Sequence, residues 1–144
     1  MPNYLQGTTS IFTTFGLSKM EDILVGTSAL KFTKIVISDK QVTLDETITL
    51  DNINVTYSFD ITNVKNNIGS RLVTVSAEIP ESVQNMDIKI IGLVCTDNTN
   101  TDYLFAYANV SIKKPARGNR NKYKLTLIFC RYINEKHFWL NILY

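Results

Sequence analysis

Ile53-Asn54-Val55-Thr56-Tyr57-Ser58-Phe59-Asp60-Ile61 is the most regular pattern in the chain. In an extended backbone successive side chains point to opposite faces. Ile53, Val55, Tyr57, Phe59 and Ile61 therefore share one face, and Asn54, Thr56, Ser58 and Asp60 the other. The spacing predicts a strand with one buried and one wet face. Downstream, Asn66-Asn67-Ile68-Gly69 carries turn chemistry. Val73, Val75, Ala77 and Ile79 then alternate up to Pro80, which has no N–H to offer a further ladder bond. The two runs predict an antiparallel hairpin.

The same period of two extends outward in both directions. Upstream, Phe32, Ile35 and Ile37 lie in a short β-branched run, and Ile48 and Leu50 alternate with threonines. Downstream, residues 88–95 are apolar on both faces and slip phase at Ile90-Ile91-Gly92, which predicts a central strand with a bulge or a glycine kink. A polar turn over residues 97–102, a nearly continuous apolar strand over 103–110 and a basic loop over 113–122 follow. Tyr123, Leu125, Leu127 and Phe129 alternate again, and a last strand is expected over 138–144.

Helical spacing occurs once. Thr13 or Thr14 is placed to cap a helix over about residues 16–25, with Leu17, Met20, Ile23 and Leu24 on one face and Gly26 to end it. One short helix ahead of many strands predicts an α+β fold, mostly β: an antiparallel sheet or sandwich with one N-terminal helix. The 144 residues fit a single domain, 1–144, with its β-rich region over about 31–144.

Composition excludes several classes. The opening Met1-Pro2-Asn3-Tyr4-Leu5-Gln6 has no basic start and no apolar stretch behind it, which predicts a chain without a secretory signal, made in a cytoplasm. Its apolar runs fall short of the roughly 20 residues that span a bilayer, so no membrane insertion is expected. Cys95 and Cys130 lie in apolar runs and read as small buried hydrophobes, not as a disulfide framework or a zinc site. The six glycines are scattered singly, which leaves no phosphate-binding loop and predicts no nucleotide cofactor.

Catalytic constellations fare no better. His137 is the only histidine and sits in Glu135-Lys136-His137-Phe138 with no motif around it. Asn98, Asn100 and Asp102 imitate the first positions of a calcium loop, but Tyr103 stands where that loop needs glycine and Asn109 where it needs its bidentate glutamate. A small hydrolase built on Asp87 and Asp97 has no spacing to support it. The expectation is a non-enzymatic protein with no cofactor and no metal.

What stands out is polarised charge. The net charge is +2, yet residues 1–102 hold 7 basic and 12 acidic side chains and residues 103–144 hold 8 basic and 1 acidic. Such asymmetry favours association with other macromolecules. Lys113, Lys114, Arg117 and Arg120, with the aromatic Phe138 and Trp139, form the candidate partner interface. The near-neutral total argues for a protein partner over nucleic acid.

Two stretches carry a resemblance. Thr13-Thr14-Phe15-Gly16-Leu17, continued by Gly26-Thr27-Ser28-Ala29-Leu30-Lys31-Phe32-Thr33-Lys34-Ile35-Val36-Ile37, resembles the helix, glycine and "FTK" strand of the phage tail-collar fibre family. Met86-Asp87-Ile88-Lys89-Ile90-Ile91-Gly92-Leu93-Val94-Cys95-Thr96-Asp97, continued by Tyr103-Leu104-Phe105-Ala106-Tyr107-Ala108-Asn109, is similar to that family's "EIGLYA" strand, acidic turn and "LFAYAN" strand. The likeness covers roughly residues 8–130. It departs from the pattern at Ser38-Asp39-Lys40, where the family has a glycine-containing turn, and at Lys89-Ile90, where it has an acidic pair. The resemblance implies an N-terminal domain that joins a bacteriophage tail fibre to the baseplate. It also implies a homotrimer whose partners are itself and phage baseplate proteins, carried in the virion tail after synthesis in the host bacterial cytoplasm. The alternative is a carbohydrate- or receptor-binding module in which Trp139 and nearby tyrosines meet a glycan.

Overall fold

The computed structural model describes residues 4–5, 9–24, 30–67, 72–79, 86–114, 123–130 and 141–143, with side chains over 11–20, 22, 30–65, 73–79 and 86–111. Among these residues the chain forms β1 (Tyr4–Leu5), β2 (Thr9–Phe12), helix α1 (Thr14–Leu24), β3 (Lys31–Ser38) and a 3-10 turn at Leu50–Asn52. It continues through β4 (Tyr57–Asn67), β5 (Leu72–Ile79), β6 (Met86–Thr96), β7 (Asp102–Lys114), β8 (Tyr123–Cys130) and β9 (Asn141–Leu143). This is an α+β fold, mostly β, and the described strand pairs are antiparallel.

The strand order is β1-β9-β8-β5-β4-β3-β6-β7-β2. Laid flat, such a sheet would hold its outer strands about 38 Å apart, at roughly 4.8 Å per spacing. Yet β1 and β2 are joined by residues 6–8 alone, so Leu5 and Thr9 lie no more than about 14 Å apart. The sheet therefore folds back on itself. The bend falls in β4, where Tyr57 to Asp60 pair with β3 and Ile61 to Asn67 pair with β5. The register against β5 shifts between Ile61 and Asn63, an irregularity of the kind that bends and twists a strand. The two halves share one core, with Ile35, Ile37, Ile91 and Leu93 from one and Val73, Val75 and Ala77 from the other.

The hairpin expected from the alternating runs is β4 and β5, with Asn67 opposite Leu72. Its first strand differs from expectation: it begins at Tyr57, not Ile53, and runs on to Asn67. The cause is local. The Val55 N–H donates to the Ile53 carbonyl at 2.9 Å, a tight turn that ends the extended run. Ile53 is buried away from the main core, while Val55 and Tyr57 are 40% and 42% exposed. Ile48 and Leu50 likewise belong to no strand.

β6 is central, paired with β3 and β7, and buried on both faces. Its register against β7 shifts between Ile88 and Ile90 and again between Leu93 and Val94. A Cβ on Gly92 would come within 2.9 Å of Val36 Cγ2 and 3.0 Å of Leu104 Cδ1, so glycine is what lets the neighbouring side chains close over the strand. The following strand, expected over 103–110, extends to Lys114 because Met86 and Asp87 continue the ladder opposite Lys114 and Lys113. Those two lysines thus end a strand instead of opening a loop. Of the strand expected over 138–144, Asn141–Leu143 is described as β9; residues 138–140 and 144 lie outside the described residues.

Helix α1 starts two residues earlier than expected because Thr13 is its cap. Thr13 Oγ1 accepts the Gly16 N–H at 3.0 Å and donates to the Leu104 carbonyl at 2.6 Å, while the Thr13 N–H donates to the Phe105 carbonyl at 3.1 Å. A cap normally serves its helix alone; this buried one also clips α1 to β7. Met20 is buried beneath the helix and Leu17 packs at the core's edge. Ile23 and Leu24 have no described side chains, and Gly26 lies outside the described residues.

Helix and strand come close at Gly16, where an added Cβ would collide with the Phe105 carbonyl oxygen. Gly16→Ala is expected to destabilise the fold by about 3 kcal/mol, the upper range for overpacking a filled site. Ser18→Ala, on the exposed side of the same helix, should stay within about 0.5 kcal/mol. Equilibrium denaturation of the two variants checks the contrast.

Candidate functional site

Residues 39–56 form a strap across the outer face of the β6–β7 pair, extended in its first part and turning at Leu50–Asn52. Along residues 41–50 exposed and partly buried side chains alternate without pairing to another strand. Val42, Leu44, Ile48 and Leu50 pack on a second buried cluster of Ile11, Ile53, Ile90, Leu104 and Tyr107. An unpaired extended segment leaves backbone groups to satisfy, and Tyr107 meets several of them. Its hydroxyl accepts the Asp45 N–H at 2.8 Å and donates toward the Asp45 carbonyl at 3.0 Å, with the Thr43 carbonyl 3.2 Å away. Asn109 Nδ2 donates to the Val42 carbonyl at 3.0 Å. The Thr14 N–H donates to the Glu46 carbonyl at 2.6 Å, which ties the strap to the start of α1.

Where strap, helix start and the β6–β7 turn meet they leave a cleft of about 380 Å³. Thr13, Thr14 and Phe15 line it from the helix, residues 46–51 from the strap, and residues 101–104 from the start of β7. Phe15 and Tyr103 stack with ring centres 4.3 Å apart and planes 11° from parallel, so one wall is aromatic. Three acids, Glu46, Asp51 and Asp102, belong to the lining, and no basic residue does.

The turn beside the cleft is built on Asp97. Its Oδ1 accepts the Thr99 hydroxyl at 2.7 Å and the Thr99 and Thr101 N–H groups, each at 2.9 Å. The Thr99 hydroxyl and then the Thr101 amide hold its carboxyl below the ordinary range. Asn100 takes the left-handed conformation at φ 64°, which asparagine tolerates. Asp102 Oδ2 accepts Lys34 Nζ at 2.7 Å and Oδ1 accepts the Thr96 hydroxyl at 2.7 Å. Lys34 first, and Thr96 second, hold the Asp102 carboxyl down. Asp97 neighbours Tyr103, whose phenol is pushed up by burial and by that carboxylate.

The residues expected to matter fall as follows. Lys113 and Lys114 end β7, at the opposite end of that strand from the cleft; Arg117, Arg120, Phe138, Trp139 and His137 lie outside the described residues. Asn98, Asn100 and Asp102 belong to the turn and its ion pair, and among the described residues no group of three histidines, cysteines or acids is placed to hold a metal ion. Asp87 is exposed and sits opposite Lys113, at the other end of β6 from the Asp97 turn. Cys95 is buried, and burial pushes its thiol up to about 12, which keeps it protonated at neutral pH. The cleft itself was not foreseen, because its walls come from three segments far apart in the chain. A local signal for the strap is Tyr107, a phenol inside the apolar run 103–110, whose hydroxyl needs a partner when buried.

Compared with protein-family models, curated proteins and solved structures, the chain matches no family model, no curated protein and no solved structure.

Two variants test the geometry. Tyr107→Phe removes the hydroxyl that serves the strap and should cost about 1–2 kcal/mol in stability, with faster amide exchange at Asp45 and neighbouring strap residues. Asp102→Asn should cost about 1 kcal/mol at neutral pH, the scale of a partly exposed ion pair. A carboxyl held down in the folded state adds stability above its unfolded value, near about 3.9, and loses it as pH falls through the folded value. The variant's stability should therefore fall less steeply than the parent's below about pH 4, as urea unfolding at stepped pH will show.

Proposed function

We propose that this chain is a non-enzymatic structural protein of a phage virion, a domain of the tail-collar fibre type that fastens a fibre to the tail baseplate as a homotrimer. The observation that carries the reading is where the resembling stretches fall. Thr13 to Leu17 begin α1, Lys31 to Ile37 lie in β3, Met86 to Thr96 are β6, and Tyr103 to Asn109 lie in β7. β3, β6 and β7 are consecutive in the sheet, and Thr13 bonds α1 to β7. Phe32 of β3 meets Phe105 of β7 edge-on at 5.1 Å, and Lys34 of β3 pairs with Asp102 of β7. Stretches separated by tens of residues thus build one continuous unit, as pieces of a shared domain should.

The mechanism in this reading is mechanical. A core closed on two sides of β6 and β7 transmits load without chemistry, and the acidic and basic parts of the chain supply complementary surfaces for assembly. Light scattering coupled to size-exclusion chromatography tests it directly. The expected mass is that of three chains, falling as salt rises and screens the opposed charges. A single-chain mass at all concentrations and both salt levels overturns the reading.

A further inference from the structure

The cleft and the basic run lie at opposite ends of one strand. β7 begins at Asp102 in the cleft lining and ends at Lys114, within Lys113-Lys114-Pro115-Ala116-Arg117-Gly118-Asn119-Arg120-Asn121-Lys122. The 13 residues of β7 span about 40 Å. Lys113 and Lys114, where the run begins, therefore stand a strand's length from the cleft of the same chain.

Charge and surface chemistry match across that distance. The run carries five basic side chains and no acid. The cleft lining carries three acids and no base, with Asp45 and Asp97 adjoining it in sequence or in the neighbouring turn. Lys34 meets Asp102, so most of the negative charge comes from the strap side, where Asp51 is exposed. Phe15, Ile48, Leu50 and Tyr103 give the cleft apolar and aromatic walls. Such walls suit the aliphatic stems of lysine and arginine and the flat face of a guanidinium. A volume of about 380 Å³ is at the small end of pockets that enclose organic groups, so it takes inserted side chains, not the whole run.

We infer that the acidic cleft of one copy seats the basic run 113–122 of a second copy, in a head-to-tail contact. A contact between two different surfaces of the same chain is heterologous: it closes into a ring when the rotation between copies divides a full turn, and otherwise grows into a filament. This deepens the homotrimer reading and rests on it for the number of copies, since three such contacts close a threefold ring.

Charge reversal with rescue tests it. Asp51→Lys alone, or Arg117→Glu with Arg120→Glu, should weaken self-association at least about tenfold, because each faces like charge against like. Combining all three in one chain should restore association to within a few-fold of the parent. A synthetic peptide of residues 113–122 supplies a second readout. Added to the full chain it should lower the assembled mass and shift the backbone amide resonances of residues 46–51 and 101–104, an effect lost in Asp51→Lys. An assembly indifferent to both reversals, with no peptide shifts, overturns the cleft contact and leaves the trimer standing. A parent chain that is monomeric at all concentrations overturns the trimer and, with it, the contact between copies. Shifts confined to other residues overturn the assignment of the cleft.

Discussion

The two-sided burial of β6 and β7 is the constraint on which the rest of the molecule depends. An antiparallel pair commonly keeps one face wet, but here Ile91, Leu93 and Cys95 belong to one buried cluster and Ile90, Leu104 and Tyr107 to another. Each apolar face exposes the chain to a cost of about 25 cal/mol per Å² until something covers it. The other half of the sheet, folded over at β4, covers one side. The strap covers the other, with α1 docked near the start of β7.

Covering a sheet with an unpaired segment creates a second demand, because the strap brings amides and carbonyls with no ladder to join. The chain meets it with few groups in well-defined places. Tyr107 and Asn109, both on β7, reach outward to strap backbone, and the helix start takes the Glu46 carbonyl. Thr13 does the corresponding work on the inner side, serving the helix and the strand with one hydroxyl. Helix, strap and strand thus meet at one corner, and the cleft is the space left where three covers of different shape do not close. Its composition follows from that origin: apolar from the covers' undersides, acidic from their rims.

Much of this was legible in the sequence. The β4–β5 hairpin, the doubly buried β6 with its slipped register, and the single helix were all expected from period and turn chemistry, because each is a local pattern. The strap was not, since the alternation of residues 41–50 matches that of a strand, and only the absence of a neighbouring ladder tells them apart. The misplaced start of β4 has the same root. Alternation continues through Ile53 and Val55, while a single hydrogen bond between them ends the extended backbone. Charge density in the sequence locates Lys113, Lys114, Arg117 and Arg120, and aromaticity Phe138 and Trp139, but neither gives the distance from the lysines to the acids of the cleft. That distance is set by the length of β7 and appears only once the strand is seen to run from Asp102 to Lys114.

The placement of the N-terminal strands has a consequence for solubility. β1 and β2 occupy the two outermost positions of the strand order, so one short segment caps both margins of the sheet. A bare margin is a row of unpaired amides and carbonyls ready to template another chain. Most β proteins blunt their two margins with separate devices, whereas here both depend on residues 4–12 staying in place. Release of that segment would unmask β9 and β7 together, giving every molecule two sticky borders and the means to polymerise by strand exchange.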